Sequence, residues 1–173
     1  MIAKAVAEDI SALNTLINSA YRGEFSKKGW TTEAHLLEGR RTTEAELVEI
    51  IQDTTNTILK YSDNGKIIGC VLLKAKKNEL YLGMLTVSPD LQNSGIGKKL
   101  LQQAAVFASE LNIPKIKMTV ISVREELISW YKRNGYVDTG AREPFPVSAV
   151  FSQIAKEPIE FMVLEKIIVT SWM

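Results

Sequence analysis

The apolar residues follow a helical period in the first part of the chain, after a short alternating stretch over residues 2–6 that is typical of a strand. Asp9 can cap a helix that reaches about Ala20, with its apolar residues on one face. Thr43 and Glu46 form a capping box ahead of a second helix. This part of the chain therefore predicts one strand and two helices.

From residue 57 onward the apolar positions alternate with a period of two. The alternation predicts strands over residues 57–61, 66–74 and 80–87, and Asn64-Gly65 between the first two is a strong hairpin signal. Pro89 ends the third strand, because proline cannot donate to a sheet ladder. Since the links between these strands are short, we expect the strands to be antiparallel neighbours.

Helices and strands alternate over the rest of the chain. The pattern predicts a helix, a strand, a second helix and two last strands, over residues 95–111, 115–123, 125–134, 136–139 and 160–169. The helix between strands 80–87 and 115–123 makes a crossover unit, whose two strands should be parallel. The element order β-α-α-β-β-β-α-β-α-β-β predicts a mixed α/β fold, with a mostly antiparallel sheet of six to seven strands and helices on both faces. No repeat or linker divides the sequence, so residues 1–173 are expected to form a single domain.

Composition and charge exclude several classes of function. The 21 basic and 20 acidic side chains give a net charge of +1. This is not the large positive charge expected of a protein that binds nucleic acid or an acidic membrane. No apolar run approaches the ~20 residues that span a bilayer, and the acid-containing start is unlike a secretory signal. Cys70 and His35 are the only residues of their kinds, so neither a disulfide nor a metal cluster is expected. These features favour a cytoplasmic, metal-free protein.

The segment over residues 84–100 carries the strongest chemical signal. A buried strand leads into a short loop, and the loop enters a helix through Gly95 and Gly97. The first N–H groups of a helix have no intrahelical partner, the helix dipole is positive there, and small residues let a phosphate approach. Lys98 and Lys99 add positive charge near the same end. The segment is therefore interpreted as a pyrophosphate seat, and the alternative is a glycine loop that simply enters a helix.

Two common phosphate-binding motifs do not fit this segment. The third glycine of the dinucleotide fingerprint is replaced by Leu100. A P-loop needs glycine where Gln92 stands and serine or threonine where Lys99 stands. The pyrophosphate is therefore expected to belong to another kind of cofactor.

The wider context resembles the GNAT superfamily of acetyl-CoA-dependent N-acetyltransferases. The resemblance is carried by Val87-x-Pro89, by Gln92-x-x-Gly95-x-Gly97 before a long helix, and by Trp130-Tyr131-Lys132-Arg133-Asn134-Gly135-Tyr136 after the next strand. Its core covers residues 57–136, and the opening strand and helix and the closing strand also fit. Two motifs at the family's spacing are much more specific than either motif alone.

The resemblance implies acetyl-CoA as co-substrate and assigns roles to individual residues. Leu85, Thr86 and Val87 would contact the pantetheine arm, with a backbone N–H near Leu85 polarising the thioester carbonyl. Tyr131 would protonate the leaving thiolate. The pyrophosphate would be surrounded by Gln92, Asn93, Ser94, Gly95, Ile96, Gly97 and Lys98.

The sequence departs from the family pattern at two positions. Many members have an asparagine seven residues before the tyrosine, where this chain has Arg124, which could reach a phosphate or be solvated. Some members carry a glutamate as general base where this chain has Tyr81. Glu79 lies two residues earlier on the same strand face and could act through a water, or could be an exposed residue at the strand end. Otherwise the base is water, or the acceptor arrives as a free amine.

The acceptor side of the site is less defined by the sequence. Residues 21–41 allow no structural assignment but contain Tyr21, Trp30 and Glu33, which the family's layout would place near the acceptor amine. Trp30 and Glu33 could hold an ammonium, and Arg40 or Arg41 could hold a carboxylate, or all could be packing and surface residues. The loop over residues 144–151 could close over the site or form a dimer contact.

We therefore expect direct acetyl transfer to a primary amine of a small molecule, in a ternary complex with acetyl-CoA. Modification of a protein or peptide amine is an alternative within the same chemistry. A CoA-binding module without catalysis is an alternative of another class. A homodimer is possible, and no nucleic acid or membrane partner is expected.

Overall fold

The computed structural model describes residues 1–21, 41–144 and 160–168, and the backbone alone of residues 37–39 and 151–153. Within these ranges the chain forms nine strands, four α-helices and two short 3-10 turns. In chain order they are β1 (Ile2–Lys4), a 3-10 turn (Ala7–Asp9), α1 (Ile10–Tyr21), β2 (Leu37–Gly39), α2 (Glu44–Gln52), β3 (Asn56–Asp63), β4 (Lys66–Ala75), β5 (Leu80–Val87), a 3-10 turn (Pro89–Leu91), α3 (Ile96–Glu110), β6 (Lys115–Ile121), α4 (Glu125–Arg133), β7 (Val137–Pro144), β8 (Phe151–Gln153) and β9 (Glu160–Ile167).

Seven of the strands form one mixed sheet in the order β1-β3-β4-β5-β6-β9-β7. All neighbours are antiparallel except β5 and β6, which are parallel and joined by the crossover through α3. The predicted hairpin joins β3 to β4, and both Asn64 and Gly65 have the positive φ that its turn requires. β2 and β8, which the sequence did not predict, pair with each other as a second small sheet.

Buried side chains form one cluster on each face of the sheet. One cluster joins α3 and α4 to the sheet through residues such as Leu100, Ile116 and Leu164, all fully buried. The other joins α1 and α2 to the opposite face through residues such as Ile17 and Leu47. The predicted α/β fold, with a mostly antiparallel sheet and helices on both faces, is confirmed.

A β-bulge in β5 reverses the side-chain direction within that strand. Cys70 of β4 lies opposite Thr86, whereas Leu72 lies opposite Gly83, so Val71 alone faces two residues of β5. Met84 occupies the bulge with a φ of 49°. Successive side chains of a strand point to opposite faces of the sheet, and the bulge adds one extra residue to β5. Every residue after the bulge therefore points to the face opposite to the one that regular alternation predicts.

Because of the bulge, different parts of β5 contact different helices. Leu80 and Leu82 belong to the cluster under α3, but Met84 packs in the cluster under α1. Leu85 and Val87 then pack against the α3 side again. The bulge therefore turns the end of β5 toward the helix that follows it.

β5 and β6 separate soon after they begin. Their parallel pairing is limited to Leu80 with Ile116 and Tyr81 with Lys117. β6 continues to pair with β9 as far as Ile121, and β5 continues to pair with β4 as far as Val87. Two well-supported strands thus diverge, and a gap opens between their facing edges.

Several local predictions need correction. Asp9 does not cap α1, because the chain turns earlier: Asp9 lies inside the 3-10 turn, where its carboxylate accepts the Val6 N–H at 2.8 Å and pairs with Lys60 at 2.9 Å. The strand predicted over residues 136–139 begins at Val137 and runs to Pro144, and an irregularity around Gly140 concealed its second half from the sequence pattern. Strand β6 ends at residue 121 rather than 123.

The capping box before α2 is only half formed. The Thr43 hydroxyl accepts the Glu46 N–H at 3.2 Å, as predicted. The Glu46 carboxylate accepts the Thr42 hydroxyl at 3.0 Å. Thr42 is fully buried, so this second bond satisfies a hydroxyl that would otherwise be costly to bury.

Candidate active site

The loop between β5 and α3 has the backbone shape that a phosphate seat needs. Asn93 and Gly95 have φ values of 70° and 86°, and Gly95 is the N-cap of α3. Gly95 carries no side chain to cap the helix, and the Lys99 N–H is bonded to the Gly95 carbonyl at 3.1 Å. The N–H groups of the first turn before Lys99 lie too early in the helix for an intrahelical acceptor. They remain available to an anion, which the helix dipole favours.

Side chains of the loop tie it to the end of β5. The Gln92 side-chain amide donates to the Val87 carbonyl at 3.1 Å, and the Ser94 hydroxyl donates to the Leu91 carbonyl. The Ser88 hydroxyl donates to Asp90 at 2.7 Å. These local bonds hold the loop in one conformation ahead of the helix, which reduces the ordering cost of binding a ligand there.

A cleft opens over this helix start, and we call it the first cleft. It holds about 590 Å³ of empty space, part of it open to solvent. It brings together almost all the residues that the resemblance assigned to the cofactor. Its described lining consists of Tyr21, Leu85, Val87, Gln92, Asn93, Ser94, Gly95, Ile96, Gly97, Lys98, Leu127, Trp130 and Tyr131.

Gly97 sets the width of the first cleft. A Cβ on Gly97 would lie 3.2 Å from Cη2 and 3.3 Å from Cζ2 of Trp130, tighter than ordinary van der Waals contact. Glycine therefore allows the first turn of α3 to lie directly against the indole of α4. The two motifs of the sequence, which are more than thirty residues apart, meet at this contact.

A second cleft occupies the gap between β5 and β6 and holds about 580 Å³ of empty space. Consecutive residues of both strands line it, so the opening follows the strand edges rather than one face of the sheet. Its described lining consists of Tyr21, Arg41, Tyr81, Leu82, Gly83, Met84, Leu85, Met118, Thr119, Val120, Ile121, Arg124, Leu127, Tyr131 and Phe161.

The two clefts share Tyr21, Leu85, Leu127 and Tyr131. We call these four residues the junction. The Tyr21 hydroxyl donates to the Leu85 carbonyl, which ties the end of α1 to β5 just after the bulge. The splayed strands therefore make a passage, with a phosphate seat on one side and a partly apolar chamber on the other.

Tyr131 is held firmly at the junction. It is 6% exposed, and its ring makes edge contacts with Trp130 and Tyr136 at centroid distances of 5.1 and 5.8 Å. Burial raises the pKa of Tyr131 well above its usual value, and the nearby Tyr21 and Tyr136 add to the rise, while the charge of Arg124 opposes it. The phenol therefore stays protonated and can serve as a proton donor.

The structure separates the remaining predicted site residues. Arg124 lines the second cleft and is not among the described lining of the first, so the structure does not place it with the residues expected to bind the cofactor. Thr86 is buried, and its hydroxyl donates to the Met84 carbonyl at 2.8 Å, which supports the bulge. Glu79 lines neither cleft and pairs loosely with Lys76 at 3.9 Å. Lys99 lies over the Tyr61 ring at 5.8 Å, away from the first cleft.

Several other predictions concern residues whose structure is not described. Trp30, Glu33, His35 and Arg40 lie outside the described ranges, as does most of the loop over residues 144–151. Tyr21 and Arg41 are described, and both line the second cleft. Of the residues expected on the acceptor side, the structure therefore describes only these two.

Sequence reasoning missed part of the second cleft. Leu127 of α4 lines both clefts. Met118 and Phe161 line the gap because β5 turns away from β6. Tyr81 occupies the position of the family's glutamate and lines the same cleft. The spacing between Tyr81 and Gln92 in the sequence is what identifies this position.

Cys70 lines neither cleft, although its Sγ lies 4.0 Å from the carbonyl oxygen of Met84. It is 1% exposed, and burial raises the pKa of its thiol to about 12. Among the described residues, no group of three or more His, Cys, Asp or Glu side chains has the arrangement of a metal site. Of the helices described, none is both long and apolar enough to cross a bilayer.

Several solved structures share the fold of this chain. The E. coli ribosomal-protein-S18-alanine N-acetyltransferase aligns over 99% of this chain and 95% of its own, with a TM-score of 0.74 and 14% identity. An N-acetyltransferase from Staphylococcus aureus Mu50 aligns over 98% of both chains, with a TM-score of 0.71 and 15% identity. The PaiA N-acetyltransferase from Thermoplasma acidophilum, solved with coenzyme A, aligns over 96% and 98%, with a TM-score of 0.69 and 19% identity. At these identities the likeness establishes the fold.

The family is assigned from the sequence. Comparison with curated proteins gives no match. A family model described as an acetyltransferase (GNAT) domain matches residues 24–145, which is more than half of the chain and includes both motifs and the junction apart from Tyr21. The chain therefore belongs to the GNAT acetyltransferase family and is an acyltransferase.

Proposed function

We propose that this protein transfers the acetyl group of acetyl-CoA directly to a primary amine of a small molecule, with both substrates bound at once. The observation that carries the proposal is the junction, where two clefts of similar size meet at Tyr21, Leu85, Leu127 and Tyr131. A cofactor in the first cleft and an acceptor in the second would face each other there, as direct transfer requires.

The first cleft suits the pyrophosphate and pantetheine of acetyl-CoA. The diphosphate would bind the first-turn amides of α3, with Lys98 supplying a cationic side chain. The pantetheine arm would follow β5 past Val87 to Leu85. The edge of β5 beyond Tyr81 is not paired with β6, so it can offer backbone groups to an extended ligand.

The chemical step needs one proton donor, and Tyr131 supplies it. The lone pair of the neutral amine attacks the thioester carbonyl, a C–N bond forms, and collapse of the intermediate breaks the C–S bond. The leaving thiolate takes the Tyr131 proton, and the phenol regains one from the proton that the acceptor nitrogen releases, through water. No carboxylate that could take a proton from an ammonium lines the second cleft within the described residues, so the step is written for a neutral amine.

An acyl-enzyme route has little support. The sole cysteine, Cys70, is buried and its thiol pKa is raised, so the thiolate fraction near neutral pH is very small. Direct transfer predicts intersecting initial-velocity lines when acetyl-CoA and amine are varied together. Parallel lines would contradict it.

The test combines a thiol-release assay over a panel of amines with the Tyr131→Phe substitution. General acid catalysis is worth about 10²–10⁴-fold, so kcat should fall by at least about 100-fold, with little change in acetyl-CoA affinity. Tyr61→Phe is the matched control, because Tyr61 lines neither cleft. Unchanged kcat in Tyr131→Phe would remove Tyr131 from the mechanism. No binding of CoA or acetyl-CoA to the wild-type protein would refute the proposal as a whole.

A further inference from the structure

The charges around the second cleft are one-sided. Its described lining contains two guanidinium groups, Arg41 and Arg124, and no acidic side chain. The chain as a whole is nearly neutral, so this local excess is not a general property of the surface. The charges of this described lining favour an anionic group on the acceptor over a cationic one.

Arg41 is placed in this cleft by a network of hydrogen bonds. Its backbone N–H donates to the Asn18 side-chain carbonyl at 2.6 Å, and the Thr42 N–H donates to the same oxygen at 3.1 Å. The Asn18 amide nitrogen in turn donates to the Thr42 carbonyl at 3.0 Å. These bonds attach the segment at Arg41 to α1, so the start of its side chain has a fixed position.

The guanidinium of Arg41 lies 5.6 Å from the centroid of the Tyr21 ring, which is itself a junction residue. A cation–π contact of this kind uses the charge of the group and leaves its in-plane N–H donors able to bind a ligand. Arg41 therefore lies next to the point where the acceptor nitrogen meets the thioester.

Arg124 approaches the same point from the opposite side. It is the N-cap residue of α4, directly after β6, and its backbone N–H donates to the Ile121 carbonyl at 3.0 Å. It lines the second cleft together with Tyr131, which is a junction residue. Arg41 comes from the α1 side and Arg124 from the α4 side, so the two flank the chamber.

The rest of the second cleft combines polar and apolar surface. Met84, Met118 and Phe161 line it together with aliphatic residues of β5 and β6. An acceptor that fills the cleft would meet these side chains as well as the two cations. The combination of amine and anion describes a free amino acid.

We propose that the acceptor is a small amine bearing a carboxylate, of the free amino acid class, and that Arg41 and Arg124 bind this carboxylate in the second cleft. This inference rests on the proposed acetyl transfer and names the substrate class for it. In a peptide, the carboxyl group of the first residue forms an amide bond. A peptide N-terminus therefore lacks the free carboxylate next to the amine that the two arginines would bind.

Three matched acceptors test the proposal: phenylalanine, phenylalanine amide and phenethylamine. We expect kcat/KM for phenylalanine to exceed that of the other two by about 10- to 100-fold, the range for a hydrogen-bonded charged group. The amino group of phenylalanine amide is less basic than that of phenylalanine, so a larger fraction of it is neutral and reactive. This difference favours the amide, which is the opposite of the result that we expect. Equal or better use of the amide or of phenethylamine would overturn the inference and leave the acetyl transfer intact.

Substitution of the arginines connects the preference to these residues. Arg41→Gln and Arg124→Gln should each reduce the preference for phenylalanine over phenethylamine about tenfold or more, mainly through KM, with CoA binding unchanged. Arg41→Lys should retain part of the preference, because it keeps the charge but not the planar fork. The control is Arg133→Gln, an equal change of charge at an exposed position that lines neither cleft.

The results distinguish failure of this inference from failure of the proposed function. If CoA binds and amines are acetylated, but both glutamine variants keep the wild-type preference, the arginines do not recognise the carboxylate. If peptides or polyamines are the better acceptors, the substrate class is wrong. If no CoA binds at all, the acetyl transfer itself is refuted.

Discussion

The contact between Gly97 and Trp130 offers a sharp test of how the first cleft is built. Gly97→Ala adds one methyl group, which would lie 3.2 and 3.3 Å from two atoms of the Trp130 six-membered ring. Since carbon atoms pack best at about 3.5–4.0 Å, the first turn of α3 or the indole must move by about 0.3–0.8 Å. That turn carries the amides assigned to the diphosphate, so the substitution should weaken CoA binding.

Stability and binding should respond differently to this change. Overpacking of this kind costs about 1–3 kcal/mol, but alanine is better than glycine in a helix by about 0.8–1.0 kcal/mol. The free energy of unfolding should therefore change by no more than about 2 kcal/mol. The Kd for CoA should rise by about 5- to 30-fold, which corresponds to about 1–2 kcal/mol of lost binding energy.

A double-mutant cycle with Trp130→Phe identifies the cause. Phenylalanine lacks both indole atoms that the new methyl would meet, so the double variant should recover much of the affinity lost in Gly97→Ala. Calorimetric titration of CoA into the four proteins gives the coupling energy, which we expect to favour the double variant by about 1 kcal/mol or more.

Gly95→Ala supplies the matched control for that cycle. A Cβ there meets nothing within 4 Å, but Gly95 has a φ of 86°, so alanine introduces backbone strain without a clash. Trp130→Phe should not rescue this variant. If the effects of Gly97→Ala and Trp130→Phe add independently, or if Gly95→Ala is rescued equally, the steric reasoning is wrong.

Three further predictions concern the surroundings of the site. Tyr21→Phe removes the donor to the Leu85 carbonyl, so Tm should fall by about 2–4 °C for a loss of about 1 kcal/mol; an unchanged Tm would contradict this bond. Cys70 should resist a thiol reagent at pH 8 until the protein is denatured, because its pKa is raised to about 12; rapid native labelling would contradict its burial. Asp53 has its pKa lowered to about 2 by bonds from Thr55 and Lys74, so its stabilising effect is present above the unfolded pKa of about 3.8 and is lost as the pH falls toward 2. Asp53→Asn should therefore flatten the fall of Tm between pH 4 and pH 2, and an unaltered profile would count against it.

The first cleft could be predicted from the sequence because its chemistry is local. Gln92, Gly95 and Gly97 follow one another within a single loop and helix turn, and the backbone N–H groups of that turn are the ones proposed to bind the diphosphate. A motif of this kind survives large changes elsewhere in the chain. Tyr131 required one further step, since its link to the loop depends on α4 packing against α3 through Trp130.

The second cleft could not be predicted in the same way, since it depends on where two strands part. Alternation along β5 would place Met84 on the same face as Leu80 and Leu82, and nothing in the residue types signals a bulge there. Met84 instead adopts a φ of 49°, which is uncommon for a residue with a long side chain. The cost of that conformation is offset by the packing of Met84 against the α1 side.

The bulge is the feature that unites the two clefts. It turns Leu85 and Val87 toward α3, where both line the first cleft, and its Met84 lines the second. The Thr86 hydroxyl bonded to the Met84 carbonyl and the Tyr21 hydroxyl bonded to the Leu85 carbonyl hold the chain on both sides of this point. A strand that continued straight would keep pairing with β6 and close the passage between the two clefts. The backbone strain at one residue is therefore inseparable from the geometry that the proposed acetyl transfer requires.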